Sequence, residues 1–282
     1  VGKKGAFEKI IAAIERMVEL KIPFRFNCTM SKPVVPLLPE IAKKAVLYGA
    51  NAVNYIAFNP FGDQQTGMRN ADNVPRYSDI KPKLTEAMDI LEDAGIEVNV
   101  RYLPLCMGEE RHRKNFYNFQ QLPYDHHEWD YQSWIWTMMQ PQMMKEGPLV
   151  PPVKLGVGTS KIYRGQAHKA RDLYAQHPVI GRVVLKTQHA VATVQQAVRG
   201  KETMLREEAV YRAAVDCKYG YDAACEKCAA RRICDGFHGD YAEFYGTSEA
   251  QPITNIQPVN DPLYYISQQE KIVEEEDASW AL

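Results

Sequence analysis

Four of the six cysteines fall in one short stretch, at Cys217, Cys225, Cys228 and Cys234. A C-x2-C step lets two thiolates converge through a short chelate loop, and a third thiolate five residues on closes the site without a long-range contact. Lys218, Lys227, Arg231 and Arg232 interleave these cysteines and favour the thiolate forms that bind metal. The cluster therefore reads as a metal site before it reads as disulfides or four unrelated buried thiols. Zinc ribbons usually repeat the C-x2-C knuckle and this sequence shows it once, so iron and sulfide fit better, although spacing alone leaves zinc open.

Cys106 is a fifth candidate. It ends Leu103-Pro104-Leu105-Cys106, just past a strand pattern, and a residue there lies where ligands gather in a barrel. Its other reading is a small buried hydrophobe. Five cysteines thus compete for four iron sites. Cys225, Cys228 and Cys234 define the chelate loop, and the fourth ligand is Cys217 or Cys106, with the shorter loop closure favouring Cys217. Cys28 reads as core.

Three weaker signals carry less. Gly156-Val157-Gly158-Thr159-Ser160-Lys161 lacks the Gly-Lys-Ser/Thr order of a phosphate loop and reads as a turn. Asp125-His126-His127-Glu128 offers ligand atoms, but adjacent side chains point apart in regular structure. The Asn27-Cys28-Thr29 sequon lies inside an expected strand and reads as a chance match.

The elements that must position these residues alternate. Phe7, Ile10, Ile11, Ile14, Met17 and Val18 share a helix face, and Ile22 to Thr29 then alternates with period two. Leu38, Ile41, Ala42, Ala45 and Val46 make a second helix stopped by Gly49, before a strand at Ala52 to Asn59. Ile80, Leu84, Ala87, Met88 and Leu91 make a third helix ended by Gly95, before a strand at Ile96 to Tyr102. Such alternation implies parallel βα units. One strand face is polar, with Arg25, Asn27 and Thr29 on the first strand and Asn99 and Arg101 on the third. Because burying an unpaired amide or guanidinium is costly, this face should meet a polar ligand or a partner network. A liganded barrel interior fits it better than a wet edge strand.

Residues 107–150 break the rhythm, with one helix expected around Trp129 to Met139. Helical spacing returns over 166–216 (Ala167, Ala170, Leu173 and Tyr174, then Ala190, Val194, Ala197 and Val198), with a short strand expected at Val179 to Leu185. A polar tail runs from Gln251 to Leu282.

The chain has 282 residues, 45% hydrophobic and 24% charged, a globular balance with enough chain for a large core. Its formal net charge of -1 gives no overall field toward nucleic acid or an anionic membrane. No apolar run approaches a membrane span and the opening residues lack a signal-peptide core, so the chain reads as soluble and cytoplasmic. The rival to a metalloenzyme is a zinc-stabilised α/β binding module. It would use Arg111, His112, Arg113 and Lys114 with Phe116, Tyr117 and Phe119 to contact nucleic acid, a patch that Glu109 and Glu110 abut.

The order helix, IPFRFNCTM, helix ending in YGA, NAVNYIAFNPFG, helix ending in AGI, EVNVRYLPLC, and later C-x2-C-x5-C with CDGFHGDYAEFYG resembles the second half of a radical S-adenosylmethionine enzyme carrying a SPASM or twitch-type auxiliary-cluster domain. The resemblance implies an α/β fold: the second half of a partial (β/α) TIM-like barrel at 1–106, an irregular and helical connection at 107–210, a small cysteine-rich auxiliary-cluster domain at 211–250 and a polar tail at 251–282. It implies an oxidoreductase in which a 5'-deoxyadenosyl radical from S-adenosylmethionine abstracts hydrogen from a peptide, sugar or small metabolite. A reductase, flavodoxin or ferredoxin would supply electrons, and neither nucleic acid nor membrane would be a partner. No cysteine follows Cys234, so one auxiliary 4Fe-4S cluster is implied and not two. By strand position the resemblance also places Asn27, Thr29 and Asn59 where the family contacts S-adenosylmethionine, and Arg25, Asn99 and Arg101 join them as polar-interior candidates for that cofactor or an anionic substrate group. The family's C-x3-C-x2-C motif, which holds the catalytic 4Fe-4S cluster, is absent from this sequence, as is its glycine-rich stretch. The chain is then the C-terminal portion of a longer enzyme, half of a split one or a degenerate relative, and by itself should not cleave S-adenosylmethionine.

Overall fold

The computed structural model describes residues 4–59, 69–124, 173 and 176–272. They divide into two compact units, one within Val1–Gln121 and Cys217–Ser279, the other within Leu122–Asp216.

The first unit is α/β. Helix α1 (Ala6–Glu19) leads to β1 (Arg25–Met30), α2 (Leu38–Tyr48) to β2 (Ala52–Ala57), and α3 (Tyr77–Asp93) to β3 (Glu97–Arg101). A two-residue strand, β4 (Phe116–Tyr117), completes a parallel sheet of order β1-β2-β3-β4. The period-two pattern at Ile22 became a strand only from Arg25, because Lys21 turns with a positive φ of 56° and Pro23 has no N–H for a ladder. β4 has no pattern to announce it, being too short to alternate.

Helices α2 and α3 cover the face carrying Val53, Tyr55, Ala57, Val98 and Val100. Leu38, Ala42, Ala45, Ile80, Leu84, Ala87, Met88 and Leu91 complete that core, all buried. These are the positions that helix-face spacing selects. After β4 the chain passes through Asn118–Gln121, and the cysteine-rich segment packs within the same unit: Gln121 Nε2 donates to the Ile233 carbonyl at 2.8 Å, and the Tyr241 hydroxyl accepts from the Tyr77 backbone N–H at 2.8 Å. Two short helices follow, α6 and α7 in chain order, at Gly239–Tyr245 and Leu263–Ile266.

The second unit contains α4 (Pro178–Arg199) and α5 (Lys201–Tyr211). The strand expected at Val179 to Leu185 is instead the first half of α4. A short apolar run does not separate strand from helix, and the helix satisfies its own backbone where a lone strand needs a partner. The helix expected around Trp129 to Met139, the turn at 156–161, the Asp125-His126-His127-Glu128 group, and Ala167, Ala170 and Tyr174 of the expected helical spacing lie outside the described residues. No helix among the described residues is long and apolar enough to cross a membrane.

Candidate metal centre

Cys106, Cys225, Cys228 and Cys234 line one small pocket, partly open to solvent, together with Pro104, Leu105, Arg231, Gln251 and Ile253 among others. Two of the walls come from distant parts of the sequence. Cys106 sits in a 3-10 turn, Leu105–Met107, that follows β3, so the sheet itself fixes its place. Cys225 lies in a second 3-10 turn, Ala223–Lys227, and Cys228 follows as its C-cap; the first residues of the turn are capped by Asp222, whose carboxylate accepts from the Ala224 N–H at 2.9 Å and from the Thr247 hydroxyl at 2.9 Å. Cys234 follows a third turn, Arg231–Ile233.

Backbone N–H groups reach the sulfurs. Gly236 donates to Cys234 Sγ at 3.4 Å and Ile253 to Cys228 Sγ at 3.4 Å. Burial raises the Cys106 thiol pKa, opposed by the backbone N–H of Gln251, and raises that of Cys225, opposed by the backbone N–H of Asp222. Cys234 is pushed well up by burial, against the N–H groups of Leu105 and Gly236. Charge on Cys225 or Cys228 raises the Cys106 pKa further. Four neighbouring thiolates therefore repel one another, and a cation among them would relieve both the repulsion and the desolvation. Cys28 contrasts with them: it lies on the helix side of β1, and burial alone pushes it up to about 12.

Gly236 explains how the loop closes. Its φ is +87°, and a Cβ there would meet the Gly220 carbonyl oxygen at 2.3 Å. Only glycine lets the chain pass so close while Gly220 and Phe237 exchange hydrogen bonds of 2.9 and 2.8 Å. The turn that follows Cys234 thereby aims the Gly236 N–H at its sulfur.

Cys217 is buried but does not line the pocket; its carbonyl accepts from the Gly239 N–H at 2.9 Å. Loop closure favoured it as the fourth partner of the C-x2-C-x5-C set, whereas the fold brings Cys106 there. A chain-length argument treats the connection as free, and β3 removes that freedom by delivering Cys106 on a rigid sheet.

The polar face of the sheet is a hydrogen-bonded ladder. Asn27, Asn54 and Asn99 stand in register across β1, β2 and β3; Asn54 Nδ2 donates to Asn27 Oδ1 at 2.8 Å and Asn99 Nδ2 to Asn54 Oδ1 at 3.1 Å. By strand alternation Arg25, Thr29, Glu97 and Arg101 share this face. At β3 it meets the chain's own C-terminal segment. Lys271 Nζ binds Glu97 at 3.0 Å and Asn99 Oδ1 at 2.9 Å, Gln269 Nε2 donates to Asn99 Oδ1 at 3.2 Å, and the Ile272 N–H donates to Glu97 at 2.8 Å. Arg101 is buried with its guanidinium 5.9 Å from the Tyr117 ring. Asn27 and Thr29 remain exposed at β1. Asn59 belongs elsewhere: it lies past the end of β2, buried, and its Oδ1 accepts from the Tyr77 hydroxyl at 2.5 Å. The candidate cofactor residues therefore form two groups, not one surface.

Several groups had no signal in the pattern. Asp235, next to Cys234, is pushed up to about 7 by burial, opposed by bonds from Gln120 Nε2 at 3.2 Å and the Phe119 N–H at 2.6 Å. Lys271, Gln269 and Glu97 read only as polar residues in sequence. The stretch from Arg111 to Phe119 is not an open nucleic-acid surface: Arg111 binds Asp89 at 2.9 and 3.0 Å, His112 is fully buried 2.9 Å from Asp89, and Phe116, Tyr117 and Phe119 are buried.

Comparison with known proteins finds no matching family model, no similar curated protein and no similar solved structure.

Proposed function

We propose that Cys106, Cys225, Cys228 and Cys234 hold a 4Fe-4S cluster, and that the chain is the C-terminal portion of a radical S-adenosylmethionine enzyme in which this cluster is auxiliary. One observation carries the reading: a cysteine delivered by the sheet and three delivered by C-x2-C-x5-C line a single pocket, with backbone N–H groups on their sulfurs. Such hydrogen bonds are how a protein tunes iron-sulfur clusters. Among the described residues no three His, Cys, Asp or Glu side chains draw close enough to hold a single ion.

The cluster supplies one-electron chemistry when bound. The protein's part is to fix four thiolates, shield them in a largely apolar pocket and direct N–H dipoles at the sulfurs. The parallel sheet with helices on one face and an asparagine ladder on the other supports a partial barrel whose interior is polar. In the intact enzyme that interior would take S-adenosylmethionine at a second, catalytic 4Fe-4S cluster, and a peptide, sugar or small metabolite would be the substrate. The test is formation of 5'-deoxyadenosine from S-adenosylmethionine and dithionite, comparing this chain with one extended at its N-terminus by a segment carrying C-x3-C-x2-C. Turnover only by the extended chain is expected; turnover by neither would remove the radical reading while leaving the cluster.

A further inference from the structure

Two buried polar groups near Tyr77 end on nothing. Asn59 is 1% exposed, and with its Oδ1 taken by the Tyr77 hydroxyl its Nδ2 has no hydrogen-bond partner among the described residues. The hydroxyl of Tyr219 is likewise buried without a partner. Tyr77 links them: its hydroxyl receives the backbone N–H of His238, and the Tyr219 ring packs edge-on against the His238 imidazole with centroids 5.1 Å apart. Aromatic rings wall the region, Phe119 at 5.9 Å from Tyr219 and Phe237 at 5.8 Å from Tyr77.

A buried donor without an acceptor is costly and rare, and native folds keep one where something is received. Asn59 lies past the C-terminal end of β2, the side of a parallel sheet on which ligands bind. Its Nδ2 can only donate, and the Tyr219 hydroxyl can donate too. Arg69 brings positive charge: its guanidinium donates to the Asn59 carbonyl, stacks 4.3 Å from the Phe58 ring, and helps hold His238 neutral. On the Tyr219 side the carboxylate of Asp235 is held by the Phe119 N–H at 2.6 Å and by Gln120 Nε2 at 3.2 Å. Two donors beside a guanidinium select an acceptor oxygen bearing negative charge.

We propose that Asn59 Nδ2 and the Tyr219 hydroxyl form a binding site for the carboxylate of a small organic molecule at the C-terminal edge of the sheet. The site stands whatever metal the cysteine pocket holds. The carboxylate belongs either to S-adenosylmethionine or to a separate substrate.

The probe is propionate, followed by saturation-transfer NMR on the full chain, with propylammonium as the cationic control. Saturable transfer to propionate and none to propylammonium is expected. Asn59→Asp, nearly isosteric, and Tyr219→Phe, which removes one oxygen, should each weaken propionate binding by about tenfold or more. Tyr264→Phe, at an exposed tyrosine, should not change it. Displacement of propionate by S-adenosylmethionine would assign the carboxylate to that molecule, and retention would assign it to a substrate. No saturable transfer in the wild-type chain, or equal transfer in Asn59→Asp and Tyr219→Phe, would mean that the orphan groups hold only water and would overturn the proposal.

Discussion

Cys106 and Cys228 line the same pocket although one follows the third strand and the other lies in the C-terminal cysteine-rich turn. The Ile253 N–H that donates to Cys228 Sγ comes from a segment that also borders Cys106, since Gln251 and Ile253 are both in the pocket wall. The segment is tied in place by the Ala229 N–H, which donates to the Ile253 carbonyl at 2.7 Å. Three stretches of chain must therefore be folded before four sulfurs meet. The pocket belongs to the tertiary structure and not to the cysteine loop alone.

Gly236→Ala should disrupt that meeting. Its Cβ would fall 2.3 Å from the Gly220 carbonyl oxygen at a φ of +87°. The expected cost is about 2 kcal/mol or more in urea unfolding, with reduced metal uptake. Wild-type stability and uptake in this variant would show that the close approach is dispensable.

The Lys271 to Glu97 pair should anchor the C-terminal segment to the sheet. The Glu97 side chain is fully buried and Lys271 nearly so. Lys271→Met takes the cation from a buried carboxylate that keeps its bonds from the Asn99 amide and the Ile272 N–H, and is expected to cost about 3 kcal/mol. Adding Glu97→Gln to that variant should recover most of the loss. A double-mutant cycle in chemical denaturation measures it, and additive effects would mean that the two side chains are not coupled.

His238 should make the fold acid-sensitive. Burial, with the charge of Arg69, holds its pKa down from 6.5 to about 4, so the folded chain keeps it neutral where the unfolded chain protonates it. Its contribution is present above pH 6.5 and lost as pH falls toward 4, amounting to roughly 3 kcal/mol. Asp235, raised from 3.8 to about 7, acts with the opposite sign, losing its contribution as pH rises across that range. The comparison that isolates His238 is His238→Asn, which keeps a side-chain acceptor for the Asp240 N–H and does not titrate. The stability difference between the two proteins should move in favour of the variant as pH falls from 6.5 to 4; a constant difference would contradict the shift.

The three βα units were legible because each writes its own period: Leu84, Met88 and Leu91 mark a helix face, and Val98 and Val100 a strand face, with no knowledge of neighbours. The run at Val179 was not, since β-branched residues alone do not report whether a partner strand exists. In the cysteine pocket the C-x2-C-x5-C spacing announced three sulfurs because their closure is local. The choice between Cys106 and Cys217 depended on where β3 ends relative to a loop far along the chain. Asn59 was visible as a polar residue at a strand end, but its pairing with Tyr77 was not, because no sequence period relates them.

The most direct measurement is iron and acid-labile sulfide in the anaerobically reconstituted chain, made in parallel on Cys106→Ala and Cys217→Ala. The account predicts close to one 4Fe-4S cluster in the wild-type chain and in Cys217→Ala, and loss of the intact cluster and its visible absorption in Cys106→Ala. Stoichiometric zinc without iron in the wild-type chain, or a full cluster in Cys106→Ala with loss in Cys217→Ala, would contradict it.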